Sequence, residues 1–361
     1  MWDIANGLRQ WHAAGREYAL ASVIGVRGSA PRPVGAAMAV DSAGAVIGSL
    51  SGGCVEGAVY ELCREVLRSG APLRERFGYS GEDGFAVGLT CGGSLEVFVQ
   101  PVRAAARVVF DAALRAQEAV TLVRDLATGA AMALGESWCV GAEFGAEVIA
   151  EARVALELGA TGVRVVGCDP QLRTVFVESR VAPPRLLVFG AVDFAAAVVR
   201  IGKFLGYRVT VCDARAVFAT AARFPEADEV VVDWPHRYLA ATAVDARTVL
   251  CVLTHDPKFD VPLLEAALRL PVAYVGAMGS RRTHADRLLR LRAAGLSESE
   301  LARLRSPIGL DLGGRTAEET AVAVAAEIVA VRRGGSGRSL SGVDIPIHHD
   351  PDVFRPSTRA S

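Results

Sequence analysis

The sequence predicts an α/β protein in which an N-terminal mixed α+β domain is followed by a doubly wound, Rossmann-like parallel-sheet domain. The first observation is length, because 361 residues exceed what a single hydrophobic core usually supports. The second is a change of pattern at Pro183-Pro184, since proline is disfavoured in helix interiors and in central strands. The third is that short apolar runs alternate with helical segments beyond this point, as in a parallel sheet covered by helices.

The first domain is expected to cover residues 1–182 and to mix helices with antiparallel strand pairs. Apolar residues at helical spacing predict helices over residues 4–14, 56–68 and 147–158. Strand-like runs predict strands over residues 18–26, 36–40, 45–49, 120–125 and 131–134, and apolar residues at alternate positions predict one over residues 95–100. Short turns inside 36–49 and 120–134 indicate two hairpins. The sequence predicts no internal repeat.

The second domain is expected over residues 183–333. The predicted strands cover residues 185–190, 208–213, 229–233, 248–254 and 272–278, and the first two helices cover 193–205 and 260–270. Later helices should begin at Ser280, Ser297 and Thr316, the last two with the spacing of a capping box. Residues 334–361 are polar and rich in glycine and serine near their start, which predicts a mobile tail.

Charge and cysteine content exclude several classes of protein. A net charge of −1 gives neither the electrostatic footprint of a nucleic-acid-binding protein nor a general attraction to an anionic membrane. The sequence shows no secretory signal pattern and no apolar run of membrane-spanning length, so the protein is expected to be cytoplasmic. Seven cysteines without a Cys-x-x-Cys pair predict reduced thiols rather than disulfides or a structural zinc site.

Two glycine-flanked cysteines are the first candidates for chemistry, in Ser51-Gly52-Gly53-Cys54 and in Thr90-Cys91-Gly92-Gly93. Glycine lets the main chain approach a ligand closely, and bare amide groups favour the thiolate form of a neighbouring cysteine. Two such loops in one domain predict one shared site, although small buried cysteines in tight turns are the alternative. Arg32 stands between two prolines in a stiff loop, which makes it a candidate anion ligand.

A nucleotide-type turn, Gly190-Ala191-Val192-Asp193, lies where a predicted strand meets a helix. Asp213 follows at the end of the next strand, where a ribose ligand would stand. Val192 occupies the position that requires the second glycine, and the Asp193 carboxylate would repel a phosphate. We therefore predict that NAD and NADP bind weakly or not at all, and that Asp193 serves as a helix N-cap.

Three further candidates follow strands of the second domain, at the edge where open α/β sheets bind ligands: His255, Ser280 and Arg281. An amide-rich helix start combined with a guanidinium could hold a phosphate or a pterin. A hydrogen-bonded loop histidine and a solvated helix face are the alternatives for His255 and Arg281. The cluster His348-His349-Asp350 resembles a metal site but belongs to the predicted tail.

Several blocks of the chain resemble the XdhC/CoxI family, whose members assist the maturation of molybdenum hydroxylases such as xanthine dehydrogenase. These blocks are residues 28–40, 48–56, 91–97, 186–191, 256–260, 275–283 and 307–313. The family commonly has Gly-Ala-Gly-His at the nucleotide-type turn, so Val192 and Asp193 depart from its pattern. The resemblance reaches to about Arg333.

The resemblance implies a chaperone that binds molybdenum cofactor, as molybdopterin or its cytosine dinucleotide form, and delivers it to an apo molybdenum hydroxylase. Cys54 and Cys91 would hold the metal end, since thiolates suit a soft-ligand site. Gly52, Gly53, Gly92 and Gly93 would offer amides to oxo or phosphate oxygens. A cysteine desulfurase and a second copy of the chain are further candidate partners.

Two other functions remain open on the sequence alone. The first is a nicotinamide-dependent oxidoreductase that uses the Rossmann-like domain, with His255 as its proton-transfer residue. The second is a scaffold that binds partner proteins through the sheet domain. Iron–sulfur chemistry is excluded, because the cysteines are too few and wrongly spaced for two clusters. We therefore expect a non-catalytic insertion factor.

Overall fold

A computed structural model describes residues 1–28, 32–78, 93–168 and 172–343 of the chain. The chain divides into two compact units, one over Met1–Ala182 and one that begins at Pro183. Within the described ranges, none of the helices has the length and apolar character needed to cross a membrane.

The first unit contains two antiparallel five-stranded sheets, ordered β3-β2-β1-β5-β4 and β8-β7-β6-β10-β9. Its elements in chain order are α1 Ala5–Ala13, β1 Tyr18–Arg27, β2 Ala37–Asp41, β3 Val46–Gly48, α2 Glu56–Ser69, β4 Leu73–Gly78, β5 Ser94–Val102, α3 Ala104–Arg115, β6 Val120–Asp125, β7 Ala131–Gly135, β8 Cys139–Gly141, α4 Ala146–Leu158, β9 Thr161–Val166 and β10 Arg173–Arg180. A short 3-10 helix, Trp2–Ile4, precedes α1.

The two sheets are copies of one arrangement. Each follows a helix and consists of a three-stranded meander, a second helix and a hairpin, with the strands in the same spatial order. The expectation that the chain has no internal repeat is therefore wrong. The loops that connect equivalent elements differ in length, so the repeat has no constant period along the sequence.

Short sequence identities mark the two halves. Gly35-Ala36-Ala37-Met38-Ala39 at β2 recurs as Gly129-Ala130-Ala131-Met132-Ala133 at β7. Val97-Phe98-Val99 in β5 recurs as Val175-Phe176-Val177 in β10. These segments occupy equivalent strands of the two sheets, which supports a duplicated origin for the first unit.

Equivalent glycines end the third strand of each half. Gly48 and Gly141 have φ values of +83° and +122°, a region that side chains rarely adopt. A Cβ on Gly48 would lie 2.2 Å from the carbonyl oxygen of Ala37, and a Cβ on Gly141 would lie 2.4 Å from that of Ala131. Only glycine fits at either position, because the meander folds back on its own backbone there.

An apolar cluster joins the two halves. Leu8 of α1 and Phe110 of α3 are fully buried in it, together with Leu20 of β1 and Leu122 of β6. The remaining face of the first sheet is covered by α2, and that of the second by α4. Both sheets therefore bury their two faces, and strands β1, β2 and β6 are accordingly buried along nearly their whole length.

A buried ionic cluster also joins the halves. Arg124 and Glu178 form an ion pair in which neither side chain is more than 1% exposed. The α-ammonium group of Met1 makes a second ion pair with the Glu178 carboxylate. The Arg124 guanidinium lies over the rings of Phe98 and Phe176, the phenylalanines of the repeated segments.

The second unit is a six-stranded parallel sheet with helices on both faces, ordered β13-β12-β11-β14-β15-β16. Its elements are β11 Arg185–Phe189, α5 Asp193–Phe204, β12 Arg208–Asp213, β13 Glu229–Val232, α6 Pro235–Ala241, β14 Val249–Val252, α7 Pro257–Ala267, β15 Tyr274–Ala277, α8 Arg281–Ala293, α9 Glu298–Leu301, β16 Leu304–Arg305 and α10 Ala317–Arg333. Counted from β11, the strand order is the 3-2-1-4-5-6 arrangement of Rossmann folds. The predicted fold class is confirmed.

Helix starts in the second unit largely follow the predicted signals. Ser280 caps α8, and complete capping boxes begin α9 at Ser297 and α10 at Thr316. Helix α7 starts at Pro257 rather than at residue 260, because Asp256 accepts the Lys258 amide and proline suits the first helical position. The structure adds helices α3 and α6 and strands β4, β8, β9, β10 and β16 to the predicted elements.

Candidate functional site

The first half of the N-terminal unit carries long loops along one edge of its sheet. Strands β1, β3 and β4 run in the same direction, so their carboxyl ends share this edge. The connections that begin at these ends are residues 28–36, 49–55 and 79–93. The equivalent connections of the second half are the shorter residues 126–130, 142–145 and 167–172. The candidates Arg32, Cys54 and Cys91 all belong to the longer set.

The Cys54 loop, residues 49–55, connects β3 to α2 and is anchored by apolar residues at its two ends. Leu50 and Val55 are fully buried, and the half-buried Cys54 side chain packs against the same cluster. Between them, Gly52 and Gly53 are exposed and have φ values of +77° and +126°. A Cβ on either glycine would meet nothing within 4 Å, so the backbone faces open space there.

The amides of this loop converge on Glu56, the first residue of α2. Glu56 Oε1 accepts hydrogen bonds from the amides of Leu50, Ser51 and Gly52 at 3.1, 2.8 and 3.0 Å. Glu56 Oε2 accepts from the amides of Gly53 and Val55 at 2.8 and 3.2 Å. The hydroxyls of Ser49 and Ser51 donate to the same carboxylate, each at 2.6 Å.

This arrangement corrects one premise of the sequence-based prediction, in which the glycine amides are bare. Both the Gly52 and the Gly53 amide already donate to a carboxylate of the protein. Burial by itself would raise the pKa of Glu56, but the hydrogen bonds from Ser49, Ser51 and the backbone outweigh it and hold this pKa well below its usual range. Glu56 is therefore an anion at neutral pH, and an oxygen ligand would have to replace it to reach these amides.

The partner cysteine predicted for Cys54 lies outside the described residues, as do Gly92 and Arg32's neighbour Pro31. Cys91 falls in residues 79–92, which connect Gly78 at the end of β4 to Gly93 before β5. Phe77 and Leu95, which flank this segment, belong to the apolar cluster that also holds Leu50 and Cys54. The shared site of Cys54 and Cys91 remains a prediction.

No group of three or more His, Cys, Asp and Glu side chains is placed to hold a metal ion in the part of the chain that the structure describes. Burial raises the pKa of the Cys63, Cys212 and Cys251 thiols to about 12, which suits a structural role in the core. Cys139 and Cys168 are exposed in the second half of the unit.

Arg32 lies in the first of the long loops and has a partner within the protein. Its Nη2 donates to the Asp3 carboxylate at 2.6 Å, and both side chains are partly exposed. Asp3 Oδ2 also accepts the amide of Ala37 at 3.3 Å, at the start of β2. An anion at this position would compete with Asp3, so the role of Arg32 as an anion ligand remains a prediction.

Side chains of the second unit already contact the nucleotide-type turn where a nucleotide would bind. Gly190 has a φ of +108°, and a Cβ there would lie 3.0 Å from the Thr254 amide nitrogen, so the turn itself requires glycine. The N-cap of α5 is Val192 and not Asp193, because Asp193 is already the first residue of the helix. The Asp193 side chain is 93% exposed and pairs with Arg223 at 3.3 Å instead of capping the helix.

Asp213, the candidate ribose ligand, already accepts hydrogen bonds from two residues. It accepts the Ala191 amide at 2.7 Å and the Arg215 guanidinium at 2.9 and 2.7 Å. Burial would raise the pKa of Asp213, but Arg215 and the Ala191 amide lower it overall. Arg223 Nη1 donates to the Ala191 carbonyl at 3.2 Å, so an arginine covers the outer side of the turn.

We expect calorimetry with NAD or NADP to give no binding, or a Kd above about 1 mM. The physical reason is that the Ala191 amide is bonded to Asp213, while the exposed Asp193 carboxylate opposes a pyrophosphate at the start of α5. A micromolar Kd for either nucleotide would contradict this prediction and would favour the oxidoreductase alternative.

The other candidates of the second unit lie where the sequence predicts them, after β14 and β15. His255 is exposed beyond the end of β14. The Ser280 hydroxyl accepts the Thr283 amide at 3.1 Å and so serves as the cap of α8. Arg281 is exposed, and its side chain makes no hydrogen bond or ion pair with any residue among those described.

A buried ion pair at this edge has no counterpart among the sequence-based predictions. Arg287 Nη2 lies 3.0 Å from Asp260 and donates to the Met278 carbonyl at 2.9 Å, and both charged side chains are nearly inaccessible. The Thr254 hydroxyl also donates to Asp260. The pair therefore ties the loops after β14 and β15 together, a role that spacing in the sequence does not reveal.

The fold and the loop geometry define a two-domain protein in which a duplicated α+β unit precedes a Rossmann domain. Residues 186–328 match the profile of the XdhC Rossmann domain, and residues 11–78 match that of the XdhC and CoxI family. Together the two matches cover more than half of the chain. The chain belongs to the XdhC and CoxI family.

Named relatives are similar over most of their length. The chain is 28% identical over 320 residues to the molybdenum cofactor insertion chaperone PaoD of Escherichia coli, covering 88% of this chain and 85% of that protein. It is 27% identical over 322 residues to a probable xanthine dehydrogenase subunit of Bacillus subtilis, covering 88% and 94%. A crystal structure described as that of a xanthine dehydrogenase from Bacillus halodurans has a TM-score of 0.61 at 24% identity, covers 94% and 97% of the two chains, and shares the fold.

Proposed function

We propose that this protein binds molybdenum cofactor, shields it, and delivers it to an apo molybdenum hydroxylase of the xanthine dehydrogenase type. Family membership and the name of the chaperone relative support a role in the maturation of such enzymes. The observation that carries the proposal is the Cys54 loop. This loop carries a half-buried thiol at the sheet edge where the connections of the first half are longer than those of the second half.

The donor set of this edge suits the proposed cargo. A thiolate is a soft ligand that binds molybdenum better than a carboxylate does, and Cys54 supplies one such group. The open space over Gly52 and Gly53 leaves room for a bulky pterin-bearing ligand to approach the loop. Cys91 would supply a second thiolate, and the form of the cofactor is expected to be molybdopterin or its cytosine dinucleotide.

The proposed partner is an apo molybdenum hydroxylase, as the names of both relatives suggest. A cysteine desulfurase, which would supply sulfur to the cofactor, and a second copy of this chain remain candidate partners. The role requires no catalytic residue in this chain, since binding and release of the cargo are sufficient.

A direct test is to incubate the purified full-length protein with molybdenum cofactor, remove the unbound cofactor by gel filtration, and measure the retained molybdenum. We expect about one molybdenum per binding site, and faster activation of an apo hydroxylase by the loaded protein than by cofactor alone. A protein that retains no molybdenum and does not accelerate activation would contradict the proposal.

Replacing Arg281 by alanine is expected to weaken cofactor binding by about tenfold to a hundredfold, the range of a charge-assisted hydrogen bond. In the Rossmann domain, the exposed Arg281 offers its guanidinium to a phosphate of the cofactor. The stability should change by no more than about 0.5 kcal/mol, because the side chain is exposed. Arg290→Ala, at an exposed position in the last turn of the same helix, is the control. Equal binding by both variants would show that Arg281 does not contact the cofactor.

A further inference from the structure

The Glu56 carboxylate receives more hydrogen bonds than its lone pairs can accept separately. Five amides and two hydroxyls donate to it, whereas a carboxylate offers about four lone-pair directions. Two of the amides are shared, because Gly52 also donates to Ser49 Oγ and Val55 also donates to Ser51 Oγ, both at 3.1 Å. The two equivalent oxygens of the Glu56 carboxylate therefore lie at the centre of the hydrogen bonds of the loop.

Apart from Glu56, the loop is held at its ends, where the Ser49 amide donates to the Ala37 carbonyl at 3.1 Å. Leu50 and Val55 are buried, but Gly52 and Gly53 between them are exposed and contribute no side chain to the core. Glycine also loses more conformational freedom than other residues when it is ordered. The hydrogen bonds to Glu56 are therefore the main interaction that fixes the backbone on the amino-terminal side of Cys54.

The second half of the unit provides a natural comparison. The buried triplet Val59, Cys63 and Val66 of α2 has the same spacing as Val148, Ala152 and Ala155 of α4. This alignment places Gly145 at the position of Glu56. Residues 142–143 then stand where the first half has residues 49–54. The longer loop and the carboxylate at its centre thus occur together in one half and are both absent from the other.

We propose that Glu56 is a positioning residue whose carboxylate holds the Cys54 loop in its closed shape and thereby sets the orientation and accessibility of the Cys54 thiol. The inference rests on the proposed function only in treating Cys54 as the thiol that meets the cofactor. The structural part concerns this chain alone and can be tested without cofactor. Without the carboxylate, three amides and two hydroxyls lose their acceptor, the Gly52 and Val55 amides keep only a serine hydroxyl, and the loop opens.

The test is the rate at which iodoacetamide alkylates Cys54 in the full-length protein, followed by mass spectrometry at fixed pH. Glu56→Ala should raise this rate by about 5- to 30-fold, because local opening exposes the thiol. Glu61→Ala, which removes an exposed carboxylate from the same helix, is the matched control and should leave the rate unchanged. The alkylation rate of Cys168, in the second half, is an internal reference in every variant.

Added formate distinguishes the loss of a carboxylate acceptor from general damage to the loop by the substitution. In Glu56→Ala the closed form of the loop would surround an empty position with amide donors, so formate should bind that form, close the loop again and return the Cys54 rate toward the wild-type value in a saturable way. Glu56→Gln should raise the Cys54 rate and should not respond to formate, because its side chain still fills the position but presents an amide group to hydrogen-bond donors.

An unchanged Cys54 rate in both Glu56 variants would overturn the inference, and so would a raised rate in Glu56→Ala that formate does not lower. If Glu56→Ala does not fold, the response of Glu56→Gln alone decides the question. Cofactor retention separates the two proposals. Absence of retention by the wild type would contradict the proposed function, and normal retention by Cys54→Ser would contradict the role of Cys54 in it, whereas the alkylation and formate results would still decide the role of Glu56.

Discussion

Replacing Cys54 by serine is expected to lower the affinity for molybdenum cofactor by about 10- to 100-fold or more. A serine hydroxyl is a hard, weakly acidic group that cannot take the place of a thiolate at a soft metal. The side chain is only half-buried and is nearly unchanged in size, so the fold and the hydrogen bonds of the loop to Glu56 should persist. The measurement is molybdenum retained after gel filtration, together with the melting temperature.

Two exposed cysteines of the same unit serve as controls for this experiment. Cys139→Ser and Cys168→Ser also remove one thiol each, but both residues lie in the half of the unit whose loops are short. They should retain cofactor like the wild type. Cys91→Ser should behave like Cys54→Ser if the two thiols share a ligand. Normal loading in both the Cys54 and the Cys91 variant would show that these loops are tight turns without a role in cofactor binding.

The sequence predicted the second domain better than the first. Its parallel strands are buried on both faces and read as apolar runs, and its later helices begin with side chains that cap them. The boundaries of β11 and α8 were accordingly close to those observed, and the 3-2-1-4-5-6 order followed the expected class. The duplication of the first unit was not predicted, because loops of unequal length conceal the period of the repeat. Val97-Phe98-Val99 and Val175-Phe176-Val177 are nevertheless a trace of it in the sequence.

The candidate site shows why a motif alone does not give its geometry. The glycine amides beside Cys54 were expected to await a ligand, but the carboxylate of a neighbouring glutamate accepts their hydrogen bonds instead. In the same way, the Ala191 amide is taken by Asp213, and Asp193 pairs with Arg223 rather than capping its helix. Each of these partners depends on side-chain conformation, which spacing does not determine. A glutamate directly after a glycine-rich loop is nevertheless a signal in the sequence that the loop amides could have a carboxylate acceptor within the protein.

Replacing Glu178 by glutamine is expected to reduce the free energy of unfolding by about 3–5 kcal/mol, the cost of breaking a buried ion pair from one side. Glutamine keeps the size of the side chain, so the loss is mainly that of the negative charge. The Arg124 guanidinium is fully buried and would retain only neutral partners such as the Ser22 hydroxyl, which lies 3.0 Å away. The Met1 ammonium would lose its buried counter-ion as well.

The first half shows that glutamine is acceptable at this place when no buried cation faces it. Gln100 lies opposite Leu20 in β5, and Glu178 lies opposite Leu122 in β10, at the equivalent position of the repeat. Gln100 is fully buried and donates to the Gly129 carbonyl at 3.3 Å. The cost of glutamine at residue 178 should therefore come from Arg124 and Met1, and not from the strand itself.

The pH dependence of the difference in unfolding free energy between the wild type and Glu178→Gln provides a second measurement. Burial would raise the pKa of Glu178, but the Met1 ammonium and Arg124 hold it below the ordinary value of 4.5. A carboxyl whose pKa is lower in the folded state stabilises the protein above its unfolded-state pKa and loses this contribution as the pH falls. The gap between the wild type and Glu178→Gln should be complete near neutral pH and should narrow below about pH 4.5.

Denaturant unfolding at neutral pH decides the matter, with Glu96→Gln as the control. Glu96 pairs with Arg74 at the surface of the first sheet, so its neutralisation should cost less than about 1 kcal/mol. Arg124→Met combined with Glu178→Gln should be less destabilised than Glu178→Gln alone, because the buried guanidinium is then removed together with its partner. If Glu178→Gln instead unfolds like the Glu96 control, the cluster of Arg124, Glu178 and Met1 does not hold the two halves together, and their apolar contacts alone suffice.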